Sequence, residues 1–207
     1  MLETLLAMDP VTILAFLGAG ILLNLTPGAD VIFATASGLS GGPRAGVAAA
    51  AGIALGSVAH ILFAALGLSA LILASPLAFK AVQWAGAAYL LWLAIKTWNA
   101  PSDATTTKGA KSLYSALKRG FLTNLLNPKV ALFILAFLPQ FADPLIGPLW
   151  HQIVILGTLF CITGLFITSA YGAAAGLFRT ALGRISGPLN KLTSLIFGTL
   201  ALRLIWE

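Results

Sequence analysis

Asp30 is a carboxylate inside an apolar run, three residues past a proline, in the stretch Asn24-Leu25-Thr26-Pro27-Gly28-Ala29-Asp30. A second apolar run carries a similar interruption, Asn124-Leu125-Leu126-Asn127-Pro128-Lys129, and the two prolines lie 101 residues apart. A charged side chain in lipid costs roughly 2.5 kcal/mol or more, so it faces a cavity or a partner. Proline within a helix removes a backbone donor and clashes with the preceding turn. In lipid the carbonyls it frees need protein or water partners. Gly28 beside Pro27 loosens the backbone further. Such breaks suit a small zwitterion: half-helix amides attract its carboxylate and Asp30 its ammonium. Asn24, Thr26, Asn124 and Asn127 are placed to orient it, and Asp30 is also placed to exchange a proton. Lys129 is a partner for Asp30 or for a substrate carboxylate.

Each residue also has a plainer reading. Asp30 can cap the second half of its helix. Lys129 can snorkel to the membrane surface. The asparagines can be glue between helices. Counted from the prolines, Asp30 and Lys129 are not equivalent, since one lies three residues on and the other one. His60 shares a helix face with Gly52 and Gly56. It is placed for a proton relay, though a hydrogen-bonded structural histidine accounts for it as well. The glycine strips Gly38–Gly42–Gly46, Gly52–Gly56 and Gly172–Gly176 allow close helix packing and permit a homodimer.

The elements that must position these groups are membrane spans. The chain has 207 residues, 59% hydrophobic and only 9% charged, against roughly 25% charged in soluble domains. Ala45–Phe79 and Pro144–Phe178 are charge-free runs of 35 residues each, and about 20 apolar residues cross a bilayer as a helix. The composition excludes a soluble globular domain and disorder. Six helices are expected: Val11–Gly38, Arg44–Leu73, Phe79–Trp98, Leu117–Leu138, Leu149–Phe178 and Ser186–Trp206. The turn before the fifth is marked by Pro139, Asp143, Pro144 and Pro148, and that before the sixth by Gly183, Gly187 and Pro188. The whole chain, 1–207, reads as one all-α transmembrane domain. It comprises a three-helix repeat (1–98), a polar cytoplasmic linker (99–116) and a second three-helix repeat (117–207). Three helices per half make the repeats inverted, with helices 1 and 4 broken at Pro27 and Pro128. Interrupted spans at matching places in two halves point to a transporter binding site.

Loop charge sets the orientation. Nine basic residues fall at the odd loops (Arg44; Lys96, Lys108, Lys111, Lys118, Arg119; Arg179, Arg184, Lys191), against Lys80 and Arg203 on the other side. The positive-inside rule puts the odd loops in the cytoplasm and both termini outside. The net charge of +6 therefore reflects topology rather than nucleic-acid binding. Without a basic n-region, the first apolar segment reads as a retained span rather than a signal peptide. Cys161 is the sole cysteine, which rules out an internal disulfide or a Cys-rich metal site. No zinc motif, P-loop, nucleophile elbow or dinucleotide fingerprint appears, so no metal, cofactor or enzymatic activity is expected.

At these residues the chain resembles the LysE/RhtB family of amino-acid exporters. Thr26-Pro27-Gly28-Ala29-Asp30 is similar to that family's Thr-Pro-Gly-Pro-Asp motif, with Ala29 in place of the second proline. Asn127-Pro128-Lys129 followed by Phe137-Leu138-Pro139-Gln140-Phe141 is similar to its second signature. Gly38–Gly46 fits its first cytoplasmic loop, and Ala87–Ala94 fits its third helix. The resemblance implies an inner-membrane exporter of amino acids or related metabolites driven by the proton gradient. The expected mechanism is antiport by alternating access, with a small zwitterionic substrate and protons as partners. A passive channel and a membrane scaffold are the alternatives.

Overall fold

The computed structural model describes residues 1–68, 75–98, 108–175, 188, 190–199 and 201–202. No strand occurs among the described residues. The helices are α1 (Leu2–Ala7), α2 (Pro10–Leu25), α3 (Ala29–Phe63), α4 (Pro76–Trp98), α5 (Leu113–Leu125), α6 (Pro128–Leu132), α7 (Leu149–Ala173) and α8 (190–199). A π-helical turn, Ala64–Leu68, extends α3, and a π turn with a 3-10 turn carries α6 on to Phe141.

Ala29–Gly67 and Leu149–Ala173 are each long and apolar enough to cross a membrane. The bent pair Leu113–Leu125 and Pro128–Phe141, with 51° between its halves, makes a third candidate. Pro10–Leu25 is a shorter apolar helix. α3 is itself two arms, because Gly42 has φ 78° and ψ 175°. Glycine tolerates that left-handed φ, and Pro43 holds the residue before it out of the helical region. The turn falls between the first and second expected helices.

The described helices fall within the expected helical stretches with shifted ends, and two or three of them are long and apolar enough to span. α5 starts at Leu113 rather than Leu117 because the Ser112 side chain accepts from the Ser115 amide at 3.2 Å, capping the helix. Asp9 caps α2 by accepting from the Val11 amide at 3.1 Å, with Pro10 in the first helical position. Helix α1 was not expected. The turn before α7 is fastened by buried Gln152, which accepts from the Asp143 amide at 2.9 Å and donates to the Asp143 carbonyl at 2.8 Å. Half of the polar linker (99–107), the end of the second expected helix and the Gly183–Gly187 turn lie outside the described residues.

Backbone contact at glycine holds α3 against its neighbours. A Cβ on Gly38 would lie 1.9 Å from the Gly172 carbonyl oxygen, and one on Gly46 2.4 Å from the Gly172 backbone. A Cβ on Gly52 would lie 2.0 Å from the Leu117 oxygen, and one on Gly120 2.3 Å from the Ala49 oxygen. Gly38, Gly46, Gly52 and Gly172 therefore pack within the chain, α3 on α5 and α7, whereas a Cβ on Gly42 would have nothing within 4 Å. Gly176 lies outside the described residues.

The aromatic core stands beside the breaks. Phe16, Phe133, Phe137 and Phe160 are buried, with Phe141 nearly so. Their ring centroids lie 4.8–5.4 Å apart along the chain Phe160–Phe133–Phe137–Phe141–Phe16, a separation at which aromatic pairs attract.

Candidate functional site: two helix breaks around a small cavity

Each break is dictated by its proline. In an unbroken helix the carbonyl of residue i bonds the amide of i+4. Pro27 has no N–H for the Leu23 carbonyl, and Pro128 has none for that of Asn124. Each carbonyl accepts an i+3 amide instead, Thr26 to Leu23 at 3.2 Å and Asn127 to Asn124 at 2.9 Å, and a basic side chain adds a second bond to each. The Lys129 ammonium donates to the Leu23 carbonyl at 2.9 Å and to the Thr26 carbonyl at 3.0 Å. The His60 Nε2–H donates to the Asn124 carbonyl at 3.2 Å. The Tyr171 hydroxyl takes a third loose carbonyl, that of Leu25, at 3.1 Å.

The half-helices restart in register. Gly28 is the N-cap of α3 and Asn127 that of α6. Asp30 and Lys129 are then both second helical residues. Their apparent mismatch, counted from the prolines, disappears when counted from the caps. Asp30 does not act as an N-cap, since the α3 cap has no side-chain hydrogen bond. In the first turn its negative charge is favoured by the helix dipole. Lys129 at the same position is disfavoured by its own helix, and it reaches instead to the carbonyl end of α2, where a cation is favoured.

Asp30 and Lys129 form no direct ion pair among the described residues. One Asp30 oxygen, Oδ2, accepts from the Asn124 side-chain amide at 2.9 Å. The other, Oδ1, is buried without a hydrogen-bond partner. Asn124 is in turn held by the Ser57 hydroxyl, which donates to its Oδ1 at 3.3 Å. Ser57 and His60 thus grip one residue from adjacent turns of α3.

Asn24, Gly28, Asp30, Asn124, Asn127 and Lys129 line one cavity of about 20 Å³, room for about one water molecule. Pro27, Pro128, Thr26 and His60 do not line it. Pro27 and Pro128 make the breaks. Thr26 is buried, donates its hydroxyl to the Leu22 carbonyl at 2.7 Å and meets the hydroxyl of Thr193 on α8. Asn127 serves locally, accepting from the Lys129 amide at 3.0 Å. Asn24 also acts as glue, donating to the Phe160 carbonyl at 3.4 Å. Ser57, Cys161, Gly164 and Thr168 also line it, with apolar side chains that include Phe160, and the sequence reading does not name these four as site residues. A sequence signal existed for Ser57, three residues before His60 on the same helix face. Tyr171, Cys161 and Thr168 are lone polar residues on an apolar helix and gave none.

Interrupted helices closing on a charged cavity within the membrane are the architecture of a transporter. This chain belongs to the LysE type translocator family, whose pattern matches residues 21–207, and is a multi-pass membrane transporter rather than an enzyme. It is 36% identical over 191 residues to an uncharacterised membrane protein of Vibrio cholerae, covering 90% of this chain and 91% of the relative. It is 35% identical over 189 residues to a homoserine/homoserine lactone efflux protein of Salmonella typhimurium, covering 90% of each. It is 31% identical over 179 residues to a leucine efflux protein of an Enterobacter species, covering 85% of this chain and 84% of that protein. No solved structure matches.

Proposed function

We propose that this protein exports amino acids or closely related small metabolites across the bacterial inner membrane by proton antiport. The observation that carries the proposal is the pair of opposite charges, Asp30 and Lys129, at the same position of two restarted helices beside one small cavity. A zwitterion presents one charge to each. The efflux names of the homoserine and leucine relatives agree with that chemistry.

In this reading six spans form two inverted halves, 1–98 and 117–207, joined by a cytoplasmic linker, with both termini outside. Alternating access is a rocking of the halves about the crossed breaks. The substrate enters from the cytoplasm, Asp30 holds its ammonium, and Asp30 takes up a proton from outside once the substrate has left. Two features support a carrier over an open channel. The cavity is too small for an amino acid. The phenylalanine chain separates it from the groove beside Asp9 and Asp143, since Phe160 lines the cavity and Phe141 lines the groove.

The test is efflux of preloaded homoserine and leucine from vesicles with an imposed pH gradient. One pH unit is worth about 1.4 kcal/mol per exchanged proton, or roughly a tenfold concentration ratio. The proposal expects saturable efflux that an ionophore slows. Unsaturable efflux indifferent to the gradient would establish a passive pore instead.

A further inference from the structure

We propose that the carbonyls of Leu23 and Thr26 are the ammonium subsite of the transport site, and that the Lys129 ammonium is a tethered stand-in for substrate in the closed state. This inference rests on the export reading above and adds to it where the amino group binds and what fills that place when substrate is absent.

The subsite has a physical origin. Pro27 removes the i+4 amide of the Leu23 carbonyl, which keeps only the Thr26 amide at 3.2 Å, and the break leaves the Thr26 carbonyl without a backbone donor. Both belong to the negative end of α2, and exposed carbonyls at half-helix ends hold cations in carriers. The bound group in this structure is already an ammonium, at 2.9 and 3.0 Å. Its surroundings match an amino acid's head. A Cβ on Gly28 would lie 3.1 Å from the ammonium nitrogen, so glycine leaves that approach open. Asp30 offers an oxygen, Oδ1, with no partner, on the same cavity wall.

The cavity, about 20 Å³, admits roughly one water. A substrate therefore needs the lysine side chain to move. When the substrate's ammonium takes the two carbonyls, the displaced Lys129 ammonium is free to meet its carboxylate. One ammonium replaces another, so the carbonyls are never left bare. Opening without substrate would leave the buried Thr26 carbonyl unpaired and that of Leu23 with its single amide, which is costly. The exchange explains how an empty carrier stays shut without a separate lid.

The experiment uses purified full-length protein and thermal unfolding, with no transport readout. Lys129→Ala vacates both the subsite and the room of the lysine stem. Ethylammonium chloride is expected to stabilise it saturably, raising Tm by about 3 °C at roughly ten times its Kd. Tetramethylammonium, which has no N–H to donate, gives no saturable rise. Lys129→Met keeps the stem and vacates only the head. Ammonium chloride stabilises that variant, whereas tetramethylammonium chloride at equal ionic strength does not. Wild type responds to none of these salts. Should Lys129→Ala fail to fold, Lys129→Met decides the matter. Equal responses to donor and donor-less cations, no response in the folded variants, or an equal response from wild type would overturn the subsite. Failure of the export reading shows separately, as absence of efflux in vesicles.

Discussion

Asp30→Asn is expected to lower gradient-driven efflux roughly 10- to 100-fold while leaving the protein folded. Asparagine keeps a side-chain oxygen that accepts from the Asn124 amide, as the Asp30 carboxylate does at 2.9 Å, so the local architecture survives. What disappears is the negative charge and its proton. Hydrogen bonds to a charged group contribute about 1.5–3 kcal/mol, and each 1.4 kcal/mol is tenfold. A purely structural Asp30 predicts the opposite, normal efflux from correctly inserted Asp30→Asn protein. The assay is initial efflux rate at matched protein in the membrane, with the pH gradient present and collapsed.

The second large effect is on folding. Gly52→Leu is expected to abolish the folded protein. A Cβ at Gly52 would lie 2.0 Å from the Leu117 oxygen and 2.9 Å from the Phe121 amide nitrogen. Both are backbone of α5, so no rotamer change relieves the clash and the helices must separate. Overpacking a core by a methylene or two costs about 1–3 kcal/mol. Forcing two backbones apart costs more, because the strip that unites α3 with α5 also carries Ser57 and His60 to Asn124. Gly18→Leu is the control: nothing lies within 4 Å of a Cβ there. Size-exclusion profiles in detergent should show a single folded peak for Gly18→Leu and wild type, and aggregate for Gly52→Leu. A folded Gly52→Leu would mean that α3 and α5 are not in backbone contact.

Much of this site was legible in the residue string because lipid makes polar groups conspicuous. Pro27, Pro128, Asp30 and Lys129 stand out in apolar runs, and the runs themselves outline the helices. The freed groups follow from the sequence as well: a proline at i frees the carbonyl at i−4, which names Leu23 and Asn124. Which side chain arrives there depends on tertiary placement, and nothing local ties Lys129 to Leu23 or His60 to Asn124. The equivalence of Asp30 and Lys129 was hidden because prolines are poor rulers. Pro27 precedes its cap, whereas Pro128 follows its own. The glycine strips announced close packing but not the partner, so an interface between copies looked as open to them as the interior contact they make. Asp9-Pro10 was a readable helix start, overshadowed by the apolar run behind it.

The central claim is that the cavity between the breaks is where substrate binds, and Cys161 reports on it directly. It is the sole cysteine of the chain and lines the cavity, with its thiol donating to the Ala54 carbonyl at 3.4 Å. Cys161 is half-buried at the cavity wall, so an amino acid bound in the cavity is expected to cover the thiol and slow its labelling. The measurement is the rate of Cys161 alkylation by N-ethylmaleimide against increasing concentrations of an amino acid that the vesicles export. Saturable protection in wild type, lost in Asp30→Asn, is the predicted result. Alkylation indifferent to an exported amino acid, in protein shown to transport it, would place the substrate somewhere other than between Asp30 and Lys129.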